Sequence, residues 1–133
     1  MKYKVLEHKA DLKIQAFGKN LPELFSNILE GMFRSCQPEI SGKKKCVRKV
    51  QIKSQNLESL LVDFLSEALY LSDINNEVYF KAKFDLLNER ELSAKLEGYK
   101  MESSVFEIKA VTWHNLEIKK QKHQWQATVL FDV

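Results

Sequence analysis

The residues that most constrain this chain are its last nine, Trp125-Gln126-Ala127-Thr128-Val129-Leu130-Phe131-Asp132-Val133. Trp125, Ala127, Val129, Phe131 and Val133 fall on one face at period two, and Gln126, Thr128, Leu130 and Asp132 on the other, the pattern of a half-buried strand. Terminal segments fray unless something ties them down, so this strand is expected to be paired within a sheet. Asp132 beside the Val133 α-carboxylate sets two negative charges within one residue of each other. Their repulsion is costly unless a cation or a cluster of donors balances it. This end therefore reads as half of a cation site.

Moving back along the chain, strands and helices are expected in a definite order. Tyr3 and Val5 mark a short opening strand, and Leu12, Ile14 and Ala16 alternate with Lys13, Gln15 and Phe17 in a second one that begins after Asp11 and stops at Gly18. Asn20, with Pro22 in the first turn and Glu23 three residues on, has the form of a capping box. Leu21, Leu24, Phe25, Ile28, Leu29, Met32 and Phe33 make the apolar stripe of the helix it opens, which ends near Cys36. Gly42 to Lys49 reads as a basic loop leading to a strand through Val50 and Ile52. Asn56 opens a second helix with the stripe Leu57, Leu60, Leu61, Phe64, Leu65, Ala68 and Leu69. Segments 13–21 and 49–57 align without a gap, so a duplicated strand-helix unit stands against chance similarity of two amphipathic segments.

After Asn76 the pattern is strands alone. Val78 to Leu86 and Leu92 to Leu96 form a hairpin about Asn88-Glu89-Arg90, and strands at about Phe106 to Val111 and His114 to Lys119 precede the last one. Two helices among many strands predict an α+β fold, a two-layer sandwich of mostly antiparallel sheet with two helices on one face. At 133 residues with 44% hydrophobic and 29% charged content, residues 1–133 are expected to form one domain, and disorder is excluded as a global reading.

Twenty-one basic against 18 acidic residues leave a net charge of +3, too mild to announce a dedicated nucleic-acid binder. No window approaches the roughly 18 apolar residues of a spanning helix, and the charged amino terminus is no secretory segment, so an intracellular, soluble protein without a membrane partner is expected. Cys36 and Cys46 then read as free thiols.

No phosphate-cradling glycine loop, Cys-x-x-Cys or nucleophile elbow is present, which disfavours an independent catalyst. Three regions could carry chemistry: the turn His8-Lys9-Ala10-Asp11, the segment Lys109 to His114, and the carboxylate end. Each has a plain structural reading. Asp11 could stabilise a turn, His8 could be a hydrogen-bonded histidine, and Lys109 could be a solvated lysine covering apolar surface.

Taken together, these residues resemble the archease family, which is recognised by H-T-A-D-I near the amino terminus, L-L-x-x-F-L-x-E-x-L-Y-L in the middle, and V-K-A-V-T-Y-H before a strand ending in an acid and one aliphatic residue. Here stand His8-Lys9-Ala10-Asp11-Leu12, Leu60 to Leu71 as L-L-V-D-F-L-S-E-A-L-Y-L, Ile108-Lys109-Ala110-Val111-Thr112-Trp113-His114, and Phe131-Asp132-Val133. Lys9 in place of threonine removes a hydroxyl and adds a cation, and Trp113 in place of tyrosine keeps an aromatic body. The resemblance implies a cytoplasmic activator of a GTP-dependent RtcB-type RNA ligase in tRNA splicing or RNA repair, promoting ligase guanylylation and multiple turnover, rather than an enzyme. It also implies a divalent-cation site on Asp11, Asp132 and Val133, with Lys109 as the functional lysine. Such hard oxygen donors suit Ca²⁺ or Mg²⁺. The competing readings are a chaperone-like modulator of an RNA-modifying enzyme, a stand-alone RNA-binding module using Lys43, Lys44, Lys45, Arg48 and Lys49, and a metal-dependent hydrolase, the last disfavoured for want of a water-activating base.

Overall fold

The computed structural model describes residues 1–6 and 11–133, in the order β1 (Tyr3–Leu6), β2 (Asp11–Gly18), α1 (Leu21–Ser35), β3 (Glu39–Lys53), α2 (Leu57–Asn75), β4 (Glu77–Leu87), β5 (Glu91–Ser103), β6 (Ala110–Gln121) and β7 (Gln124–Asp132). Both helices begin where their side chains dictate. The backbone N–H of Glu23 donates to Asn20 Oδ1 at 2.9 Å, and that of Ser59 donates to Asn56 Oδ1 at 2.8 Å. Each bond satisfies one of the amide donors that a helix start leaves without an intrahelical partner. The two strand-helix junctions thus share one cap geometry. At its other end α2 stops on Asn76, which takes the left-handed conformation (φ 54°) that asparagine tolerates.

All strand pairs are antiparallel, as expected, but the sheet layer is divided in two. One sheet has the order β1-β2-β7-β6 and the other β3-β5-β4. The helices join them: α1 lies against β2 and β4, and α2 against β6 and β3. Leu24, Phe25, Ile28, Leu29 and Met32 of α1 are fully buried, as are Leu60, Leu61, Phe64 and Leu65 of α2. They share one core with Ile14, Ala127, Val129 and Phe131 of the first sheet and Leu92, Ala94 and Leu96 of the second. At its centre Phe25, Phe64 and Phe84 meet with ring centroids 5.6 to 6.2 Å apart, one pair edge to face.

Two stretches differ from the reading of the sequence. The basic segment Gly42 to Lys49 is strand rather than loop, because β3 runs from Glu39 to Lys53 and pairs with β5 through Lys45 to Lys53. An antiparallel ladder needs only one apolar face, and Lys45 and Lys49 project from the other. The register slips between Ile40 and Lys45, where Gly42 adopts a φ of 77°. Of the two strands expected between Phe106 and Lys119, residues 106–109 are not strand, and the rest belongs to a single strand, β6, whose pairing with β7 is interrupted between Thr112 and Glu117. Asn115, at φ 54°, lies in that bulge, and Trp113 is left 55% exposed.

At the start of β4 a polar knot is buried among apolar neighbours. Arg48 donates two hydrogen bonds to Glu77, at 2.9 and 2.8 Å, and Tyr79 Oη donates to Glu77 Oε1 at 2.7 Å. Glu77 is 1% exposed, so only such donors make a charge there tolerable. The guanidinium of Arg48 holds the Glu77 carboxyl down at about 2, against the opposing effect of burial. Gly98 crosses the same region, where an added Cβ would lie 1.7 Å from the carbonyl oxygen of Val78.

Two outcomes are expected. Phe64→Ala empties the centre of the aromatic cluster and should cost about 3–5 kcal/mol in urea unfolding. Because Glu77 binds its proton more weakly folded than unfolded, its contribution is complete above the ordinary carboxylate range and is lost as pH falls toward 2. Wild-type melting temperature should therefore fall steeply between about pH 4.5 and 2, and Glu77→Gln, less stable at neutral pH, should fall less steeply there.

Candidate functional site at the β2, β7 and β6 corner

The buried face of the first sheet decides which residues meet at its end. Leu12 pairs with Phe131, Ile14 with Val129 and Ala16 with Ala127, and all six are buried. A slip of one residue would turn every one of them to the other face, so the register is held by the core. That register sets Asp11 directly opposite Asp132. On its other side Asp132 faces Ala110, and the backbone N–H of Lys109 donates to the Asp132 carbonyl oxygen at 2.7 Å. Residues 11, 109 and 132, distant in the chain, are thus gathered at one corner.

Directly opposed side chains in such a ladder lie about 4.5–5.5 Å apart at Cβ. Two carboxylates at that spacing form an oxygen-donor pair on one side of the sheet, with Asp132 exposed and Asp11 partly so. Val133 follows immediately and is 39% exposed. Among the described residues there is no group of three or more histidine, cysteine, aspartate or glutamate side chains able to hold a metal ion. A cation here would therefore rest on Asp11, Asp132 and main-chain oxygens at Val133, completed by water. That donor set fits a hard ion and not zinc. His8 and Lys9 lie outside the described residues.

Beside this corner a cleft of about 570 Å³ opens between α2 and segment 104–111. Ser66, Leu69, Tyr70 and Asp73 line it from the helix, and Glu107, Lys109 and Val111 from the opposite side. The central helix motif thus has two uses. Leu60, Leu61, Phe64, Leu65 and Ala68 go to the core, whereas Tyr70, 58% exposed, is presented at the cleft. Among the described residues Lys109 has no ion-pair partner, so its ammonium is available to an anionic group. The thiol at the base of the cleft, Cys36, is pushed up to about 11 by burial and is no nucleophile at neutral pH. Cys36 and Cys46 are both free, as expected.

The reading of the sequence missed Tyr70, Asp73 and Glu107, because their place in the cleft depends on how α2 packs beside β6. The one signal available was Tyr70 itself, an aromatic residue flanking an otherwise buried stripe. The Arg48, Glu77 and Tyr79 group was also missed. It supports the fold rather than the corner.

Comparison with known proteins identifies relatives that span nearly the whole chain. The Archease protein family (MTH1598/TM1083) model matches residues 3–133. Protein archease of Methanosarcina acetivorans is 39% identical over 140 residues, spanning 99% of this chain and 96% of the relative. Protein archease of Pyrococcus abyssi is 33% identical over 135 residues, spanning 96% and 95%. The fold is that of the solution structure of Methanobacterium thermoautotrophicum protein 1598, with a TM-score of 0.68 at 24% identity, covering 98% of each chain. It is also that of a Thermotoga maritima crystal structure described as an archease and possible chaperone, with a TM-score of 0.72 at 18% identity, covering 98% of this chain and 96% of that one. Matched over residues 3–133 and 39% identical to a relative spanned almost end to end, the chain belongs to the archease family.

Proposed function

We propose that this protein activates a GTP-dependent RNA ligase of the RtcB type, acting in the cytoplasm in tRNA splicing or RNA repair, and is not itself the ligase. The observation that carries the reading is the meeting of Asp11, Asp132 and Lys109 at one corner of the sheet. Asp11, Asp132 and the Val133 carboxylate would hold Ca²⁺ or Mg²⁺. A cation held there supplies positive charge that can face a nucleotide phosphate or the acidic groups of a partner's active site. Lys109 adds a point charge at the rim of the adjoining cleft, on a stem long enough to follow a phosphate as it moves. The described residues of the corner offer binding and charge, which suits promotion of guanylate transfer to a partner's histidine. Among the described residues no helix is long and apolar enough to cross a membrane.

A second reading, a chaperone-like modulator of an RNA-modifying enzyme, is favoured by the description of the Thermotoga maritima relative as a possible chaperone. Both readings require a protein partner. Turnover separates them: a stabilising chaperone preserves ligase activity only in proportion to the ligase it protects, whereas an activator at substoichiometric amounts raises the number of RNA joins per ligase.

Purified protein alone should neither join RNA nor hydrolyse GTP, and adding it to a stalled RtcB-type ligase should restore repeated turnover; ligation without a partner would sink this reading. Lys109→Ala should abolish most of the activation while leaving the melting temperature within a few degrees of wild type, since an exposed side chain is lost and no cavity is made. Full activity of that variant would return Lys109 to a structural role. In calorimetric titration with Ca²⁺ and with Mg²⁺, Asp11→Ala and Asp132→Ala should each weaken binding. A peptide fused after Val133, which turns its carboxylate into a neutral amide, should weaken binding more than the same peptide fused at the amino terminus. Equal affinities for the two fusions would remove Val133 from the site.

A further inference from the structure

The outward face of the second sheet carries a charge arrangement that the fold does not require. Lys49 of β3 lies directly opposite Lys95 of β5, and Lys95 lies directly opposite Lys83 of β4. Three lysines therefore form one continuous row across all three strands. Like charges directly opposite one another destabilise a sheet. Lysines on edge strands commonly guard against edge-to-edge pairing, and β3 and β4 are edges, but Lys95 sits on the central strand where no edge needs guarding.

Among the described residues only Lys83 of the row is paired with an acid. Glu97 takes Lys83 at 3.2 Å and Lys45 at 3.6 Å, and Glu91 takes Lys53 at 3.8 Å. Asp85 borders the same recess as Lys49 and Lys95, yet among the described residues neither lysine has an ion-pair partner. The next pair in the ladder adds Lys81 opposite Glu97. Two residues further along β5, on the same face and opposite Lys45, stands Tyr99, a partly exposed ring whose centroid is 6.5 Å from that of Phe80.

We propose that this face, centred on the Lys49, Lys95 and Lys83 row, is a binding surface for the phosphate backbone of single-stranded nucleic acid. Adjacent strands are about 4.8 Å apart, so the row places its ammonium groups along a line that crosses the sheet and can follow successive phosphates. Lysine ammonium groups bind phosphate as point charges without reading sequence. Tyr99 at one margin offers a surface on which a base can stack, a contact that every base can make. An exposed sheet face with one ring suits an unpaired strand better than a duplex, whose bases are already stacked on one another. The surface lies on the other sheet from Asp11, Lys109 and Asp132 and needs no ligase, so it stands or falls independently of the proposed activation.

The test is fluorescence anisotropy of short labelled single-stranded RNA and DNA of the same mixed sequence, titrated with the full chain from about 50 to about 200 mM salt. Lys49→Gln with Lys95→Gln is compared with Lys19→Gln with Lys122→Gln, which removes the same charge from exposed positions off this face. Binding of either nucleic acid should weaken about tenfold or more in the first pair, with the salt slope falling by about 1.4 as two single-strand phosphate contacts are lost. The control pair should change affinity by less than about twofold. Relief of repulsion should leave Lys95→Gln melting at or above wild type at low salt, so the loss cannot be ascribed to unfolding. Equal losses in the two pairs would reduce the effect to net charge and overturn the proposal. So would the lack of salt-dependent binding by wild type, or displacement by polyglutamate at equal charge concentration, which would make this a surface for an acidic protein.

Discussion

The pairing of β2 with β7 is the constraint on which the rest of this structure depends. Its inner face is continuous with the core, and its register cannot shift without exposing Ile14, Val129 and Phe131 and burying Gln15, Thr128 and Asp132. Each large buried side chain contributes ~1.5–3 kcal/mol toward holding that register. The core thereby fixes Asp11 opposite Asp132, so the place of this pair is set by packing rather than by the two acids. This is why the functional proposal is made at the corner rather than at the cleft alone.

The second sheet is organised around a different balance. Arg48, Glu77 and Tyr79 satisfy one another beneath the sheet, and the short distances to Glu77 leave none of its charge uncompensated. Above the sheet, Lys83 pairs with Glu97, while Lys49 and Lys95 have no ion-pair partner among the described residues. The same strands thus carry a fully paired charge on the inner side and a surplus on the outer one. Solvent screens the outer surplus, which makes it tolerable; burial would make the inner one ruinous if it lacked partners.

Much of the local structure was legible along the chain because its causes are local. Asn20 and Asn56 open helices since each side chain can reach the amide three residues on, a fact of spacing alone. The stripes on both helices and the alternation from Trp125 to Val133 report burial directly. The run Gly42 to Lys49 misled because polar composition resembles a loop, while the hydrogen bonds that make it a strand belong to β5, some fifty residues away. The bulge between Thr112 and Glu117 was read as a gap between two strands, since the partner residues that define a bulge lie on β7.

The sequence by itself determined the α+β class, the helix starts, the faces that are buried, and through its motifs the family. It could not determine that the sheet layer is two sheets bridged by the helices, that Lys95 faces lysines on both sides, or that Tyr70 and Lys109 border one cleft. These are relations between residues far apart in the chain. They follow from strand register and helix packing, which minimise the exposed apolar area of the whole molecule at once, and no local stretch contains that information.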